Sequence, residues 1–124
     1  MQLQLDTHYA VRILLHLFKN PDIQKVQSLA ETVGITQPLL NRIALKLKQH
    51  GLLISMRGGY KLGKPASEIS FYDVFLAIEK KLCVSHCFEV GKCEDGHCKA
   101  HELLLVMQGD MMRAMSSRSI ADLA

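Results

Sequence analysis

A glycine at position 34 separates two short runs of helical periodicity, and two glycines at 58 and 59 separate two β-prone runs. This succession, confined to residues 28–62, constrains the fold more than any other feature. Leu29 and Val33, spaced i,i+4, predict a short helix over about 28–33. Gly34 then stands where a helix ends in left-handed backbone. Thr36 is a credible N-cap for the next helix, and Pro38 is tolerated in its first turn. Leu40, Ile43, Ala44 and Leu47 form an apolar stripe that ends at Gly51, while Asn41, Arg42, Lys46, Lys48 and Gln49 lie mostly off it. A short helix, a glycine turn and a helix with an apolar back and a basic, amide-bearing front make a helix–turn–helix. Leu52–Met56 and Tyr60–Leu62 flank the glycine pair, which is a hairpin signal. A hairpin directly after a helix–turn–helix is a wing, expected to carry Arg57 and Lys61 near its tip, within reach of a phosphate or the minor groove.

The rest of the chain supports this unit. Residues 6–18 read as a helix with apolar residues on most sides, which must be buried on two faces. Asn20-Pro21-Asp22 marks a turn and Gly63-Lys64-Pro65-Ala66 a linker. Ser70 caps a further helix with Asp73 in its first turn, and Phe71, Val74, Phe75 and Ile78 form the core stripe of that helix. Residues 82–100 are loop-like. A last helix is expected over about 101–115, and nine of the fourteen residues Glu102–Met115 are apolar. So short a chain has little left to cover that surface, so a second copy is expected to do so. The predicted class is mainly α: a winged helix-turn-helix with a short two-stranded wing and a long C-terminal dimerisation helix. The expected division is residues 1–66 for DNA binding and 67–124 for the cysteine loop and dimerisation.

Charge follows the same division. Residues 1–70 hold nine Lys/Arg against four Asp/Glu, and residues 71–124 hold six against eight. A basic first half beside a slightly acidic second half fits a nucleic-acid reader joined to something else. Arg pairs bidentately with guanine, Asn and Gln pair with adenine, and Lys neutralises phosphates. Gln37, Asn41 and Arg42 are therefore expected near base edges, with Lys46, Lys48 and Arg57 on the backbone. The full candidate DNA-facing set adds Thr36, Leu39, Gly58 and Tyr60. No Ser/His/Asp arrangement, phosphate loop, dinucleotide fingerprint or carboxylate pair is visible, so the chain is not expected to be an enzyme.

No secretory leader or membrane-length apolar run is evident, and a cytoplasmic location is expected. In that reducing compartment a disulfide framework is disfavoured. All four cysteines lie between Cys83 and Cys98, in the run Cys83…His86-Cys87…Cys93…His97-Cys98-Lys-Ala-His101. Such clustering reads as a metal or redox site, with thiolates suited to iron–sulfur clusters, zinc or copper(I). The spacings are not the paired knuckles of a zinc ribbon. A metal-free thiol–disulfide switch using Cys83 or Cys87 with another cysteine is the rival reading. A third is a cluster- or metal-carrying protein whose winged helix contacts other proteins.

The opening Met1-Gln2-Leu3…Tyr9-Ala10-Val11-Arg12, the stretch Leu29-Ala30-Glu31…Gly34-Ile35…Gly51-Leu52, the wing Arg57-Gly58-Gly59-Tyr60-Lys61-Leu62-Gly63-Lys64-Pro65 and the closing Ser119-Ile120-Ala121-Asp122-Leu123 resemble the Rrf-type winged-helix transcription regulators, IscR- and NsrR-like members among them. The resemblance covers essentially the whole chain. It implies a homodimer built on the helix matching 101–115, binding imperfect palindromic operators, in most such cases as a repressor. It also implies an iron–sulfur cluster, 2Fe–2S in preference to 4Fe–4S, held by Cys87, Cys93 and Cys98. His101, three residues after Cys98, matches the histidine ligand of some members and is the favoured fourth ligand. Cys83 and then His8, at the position where other members carry an acidic residue, are the alternates. Two features depart from the pattern: the wing is shorter than usual, and Cys83 is additional to the three cysteines.

Overall fold

The computed structural model describes residues 3–84 and 98–124. In chain order the elements are α1 (Leu5–Lys19), α2 (Val26–Val33), α3 (Gln37–Gln49), strands β1 (Leu53–Met56) and β2 (Gly59–Leu62), a 3₁₀ turn (Ala66–Glu68), α4 (Phe71–Glu79) and α5 (Lys99–Ser116). The class is the one the sequence predicts: mainly helical, with one two-stranded antiparallel sheet among the described residues.

Local chemistry explains most boundaries. Gly34 ends α2 with φ +84°, a left-handed conformation that costs glycine nothing. The Thr36 hydroxyl accepts the Leu39 N–H at 3.4 Å and opens α3, with Pro38 in the first turn. Ser70 and Asp73 form a reciprocal capping box at 3.0 Å in each direction, satisfying two backbone donors at the start of α4. The hairpin pairs Leu53 with Leu62 and Met56 with Gly59. Its tip is therefore Arg57-Gly58, and Gly59 already belongs to β2. Lys61 pairs with Ile54, two rungs in from the Met56–Gly59 rung, so it does not sit near the tip as expected. Strand register places it there, and it lines a groove with Leu17, Phe18 and Pro21.

One hydrophobic cluster ties these elements together. Ala10, Ile13, Leu14 and Leu17 of α1 pack with Leu29, Ala30 and Val33 of α2, with Leu40, Ile43, Ala44 and Leu47 of α3, and with Leu52 and Leu53. The cluster continues past residue 66 into Ile69, Val74, Ala77, Ile78 and Ile120. The last of these arrives because the C-terminal residues run back beside the start of α4. Ser70 bridges Ser119, Ile120 N–H donates to Ile69 at 2.8 Å, and Phe71 N–H donates to Arg118 at 3.0 Å. The helix–turn–helix is thus braced from behind by α4, which packs on both α1 and α3.

Two further contacts position the site. The far side of β2 bridges Gln24, with Gln24 N–H donating to Tyr60 O at 3.0 Å and Tyr60 N–H to Gln24 O at 2.9 Å. The wing is thereby fastened to the segment before α2. At the other end of the molecule Glu79, closing α4, accepts from the buried Thr7 hydroxyl at 2.8 Å and from Gln4 N–H at 3.4 Å. This carboxylate ties the end of α4 to the start of α1 through one backbone and one side-chain donor. Helix α5 differs from the other α-helices in having no buried residue among the described residues. Leu103, Leu105, Val106, Met107 and Met112 are all exposed.

Candidate nucleic-acid interface and cysteine segment

Helix α3 divides as its periodicity requires. Leu40, Ile43, Ala44 and Leu47 face the core, whereas Gln37, Asn41, Arg42 and Lys48 are exposed. Lys46 is half-buried, and Leu39 is half-buried because it packs against the core cluster. The Thr36 hydroxyl is spent on the helix cap. Arg57 and Gly58 project at the exposed wing tip, while Tyr60, one rung in from the Met56–Gly59 rung, is half-buried.

Two polar contacts on this face join residues distant in sequence. Tyr60 Oη donates to Asn41 Oδ1 at 2.9 Å, bridging the wing to α3. Burial pushes the Tyr60 phenol above its ordinary range, so it remains a protonated donor. Beside this bridge lies a cleft of about 210 Å³ lined by Asn41, Ala44, Leu45, Lys48, Ser55 and Tyr60. Arg42 Nη2 meets Asp6 Oδ2 at 2.9 Å, tying α3 to the first turn of α1. The guanidinium side chain stays 60% exposed, so this pair leaves most of it open to another partner.

The structure thus brings Asn41, Lys48 and Tyr60 of the candidate set around one cleft, with Arg42 one residue away on α3. Arg57 and Gly58 stand apart at the wing tip. Sequence reading missed Asp6, Leu45 and Ser55. Leu45 was visible as an apolar residue off the core stripe, but nothing local marks Asp6, which lies 36 residues from its partner.

The cysteine segment is only partly described. Cys87 and Cys93 lie outside the described residues. Cys98 is the N-cap of α5 and His101 lies in the first turn of that helix, both half-buried. Cys83 follows α4 and is half-buried, and His8 is exposed on α1. Among the described residues no three of His, Cys, Asp and Glu stand together as a metal site. A cysteine and a histidine at the start of one helix nevertheless fit the donor set that iron–sulfur ligation uses. The segment after α4 is tied to α5, as Val84 N–H donates to Gln108 Oε1 at 3.2 Å.

Known proteins share this fold. The family model for Rrf2, described as an iron-dependent transcriptional regulator, matches residues 3–124. Protein aau3 of Rhizobium meliloti is 33% identical over 98 residues, covering 76% of this chain and 64% of that protein. The HTH-type transcriptional regulator IscR of Escherichia coli is 32% identical over 109 residues, covering 83% of this chain and 67% of IscR. The chain thus spans about two thirds of the length of these relatives. In structure, the chain superimposes on CymR, the global cysteine regulator of B. subtilis, with a TM-score of 0.84 at 22% identity, covering 100% of this chain and 96% of that one. A winged helix-turn-helix with a capped, basic second helix, matched from residue 3 to residue 124 by one family model, makes this chain a member of the Rrf2 family of transcriptional regulators.

Proposed function

We propose that this chain is a DNA-binding transcription regulator, acting as a repressor on imperfect palindromic operators, whose grip on DNA is set by an iron–sulfur cluster. The observation that carries the reading is the exposed polar face of α3 beside the wing. It presents Gln37, Asn41, Arg42 and Lys48 on the helix, with Arg57 apart from them at the exposed wing tip. Amides and guanidinium suit base edges, and ammonium groups suit phosphates. The chain works as a homodimer joined along α5, where Leu103, Leu105, Val106, Met107 and Met112 are exposed among the described residues. Its location is the cytoplasm, and we assign it no catalytic role.

Cys87, Cys93 and Cys98 with His101 are the ligands in this reading, and Cys83 and His8 are the alternates in that order. Bound there, the cluster supplies a redox- and ligand-sensitive centre, 2Fe–2S in preference to 4Fe–4S. The protein's own share is the transmission. A rearrangement of the segment after α4 acts on Glu79, which holds Gln4 and Thr7 at the start of α1. Asp6 in the same turn holds Arg42 on the recognition helix. Movement at one end therefore biases which of two half-site spacings the dimer favours.

A second reading keeps the DNA binding and makes the cysteines a metal-free thiol sensor. It is favoured by Cys83, half-buried next to the Val84–Gln108 link to α5. Anaerobic isolation followed by iron and sulfide analysis, visible spectroscopy and gel shifts on promoter DNA separates the two. Iron and sulfide in the protein, with operator affinity that changes on cluster removal, support the cluster. Reconstituted His101→Ala losing cluster lifetime more than Cys83→Ala or His8→Ala supports the ligand order. DNA binding that responds to thiol oxidation without any iron replaces the first reading with the second. No salt-dependent DNA binding at all leaves a cluster or metal carrier.

A further inference from the structure

A primary amide offers two different faces to DNA, and which face it offers depends on what already holds it. Free, Asn41 can donate from Nδ2 and accept at Oδ1, the pattern that matches adenine N7 and N6–H₂. In this structure Oδ1 accepts the phenol of Tyr60 at 2.9 Å, while Nδ2 has no hydrogen-bond partner among the described residues. The amide oxygen is therefore turned toward the wing with one of its two lone pairs taken, and the amino group is the part left without a partner. Resting on the DNA-binding reading above, we infer that Tyr60 is a positioning residue that makes Asn41 read DNA through its amino group, selecting guanine over adenine at one position of each half-site.

The major-groove edges decide the choice. Guanine presents two acceptors, N7 and O6, to an NH₂ group. Adenine presents one acceptor beside its own N6–H₂ donor, and cytosine presents a donor. An amino group presented to the base gains two partners on guanine, but meets a donor on adenine.

Tyr60 can do this because its place does not depend on its hydroxyl. Its backbone N–H and carbonyl are both bonded to Gln24, and it pairs with Ser55 across the hairpin. The ring is fixed first, and the phenol then orients the amide. Asn41 itself is exposed on α3 beside the cleft that contains Lys48 and Ser55, which leaves its Nδ2 accessible.

The test is selection of DNA from a randomised double-stranded pool by the full chain, wild type against three variants, read by sequencing. Wild type should enrich a motif with guanine at a position whose preference Asn41→Ala erases. Tyr60→Phe removes one oxygen and leaves the backbone pairing intact. It should lower the guanine-to-adenine ratio at that position about tenfold, the size of one good base contact, with the other positions unchanged. Asn41→Asp still accepts from Tyr60 but has no donor, and should replace guanine by cytosine there. This third variant decides the matter if Tyr60→Phe unsettles the wing. The inference is overturned if the Asn41-dependent position is adenine in wild type, or if no position depends on Asn41. It is overturned equally if a folded Tyr60→Phe keeps the same guanine-to-adenine ratio. A wild-type pool with no enriched sequence overturns the DNA-binding reading itself, and this inference with it.

Discussion

Gly59→Ala should detach the wing, and Gly58→Ala should not. The two glycines are adjacent and both have positive φ, +100° at Gly58 and +150° at Gly59. Their surroundings differ. A Cβ at Gly58 meets nothing within 4 Å, whereas at Gly59 it would lie 1.9 Å from Gln24 O and 2.6 Å from Gln24 C. Both atoms are backbone, so no side-chain rotation relieves the clash, and the Gln24–Tyr60 bridge with its two hydrogen bonds must open. Each such bond is worth about 1 kcal/mol net. The strained backbone at either site adds about 1–3 kcal/mol, offset by about 0.4–1 kcal/mol from a stiffer unfolded chain. Gly58→Ala is then expected to cost about 1–2 kcal/mol, and Gly59→Ala about 3–5 kcal/mol. The larger figure is a substantial part of a typical domain's total stability of about 5–15 kcal/mol. Urea unfolding followed by circular dichroism measures both. Gly59→Ala should also lose operator affinity, because the Tyr60–Asn41 contact depends on where the wing sits. Equal stability losses in the two variants would refute the close approach of Gln24 to β2, and the reasoning built on it.

Three more outcomes are expected. Met107→Glu with Met111→Glu places charge along α5 and should dissociate the dimer. Light scattering should then move from twice the chain mass toward 13.9 kDa, and a wild type already at 13.9 kDa would sink the dimer. Arg42→Ala should relax sequence preference by about 1–3 kcal/mol if it contacts a base, while losing at most about 1 kcal/mol of fold stability from its exposed pair with Asp6; Lys46→Ala should instead weaken all sequences alike and flatten the salt dependence by about one unit. Equal behaviour of the two across operator variants would mean that the recognition helix is oriented differently. The Asp122 carboxyl is held below the ordinary range by the Ser119 backbone N–H and then by the Ser119 hydroxyl. A carboxyl depressed by folding stabilises the native state above its unfolded pKa, and that contribution is lost as pH falls through the folded value. Asp122→Asn should therefore flatten the acid limb of the stability curve and leave the alkaline limb unchanged; an unchanged acid limb would show that the contact contributes nothing.

Much of this molecule is written in stretches of four or five residues. Gly34, Thr36 with Pro38, the Ser70 cap with Asp73 in the first turn of α4, and the α3 stripe are all legible in the amino-acid sequence alone; that Asp73 closes a reciprocal box was not. Each depends only on helix or turn geometry within a few residues. The wing and the mainly helical class follow in the same way, although of the two glycines only Gly58 sits in the turn and Gly59 opens β2. The α3–wing surface was legible as a set of candidates, since exposed faces are the complement of the apolar stripe. What the candidates do to one another was not. Arg42 finds Asp6 across 36 residues, Tyr60 finds Asn41 across 19, and Thr7 finds Glu79 across 72. Lys61 lies two rungs in from the wing tip because strand register counts residues from the turn. Ile120 enters the core because the chain end doubles back along residues 66–71. Such meetings are set by how whole elements pack. A helix's period states which residues face outward; only its neighbours decide which outward-facing atoms are already occupied.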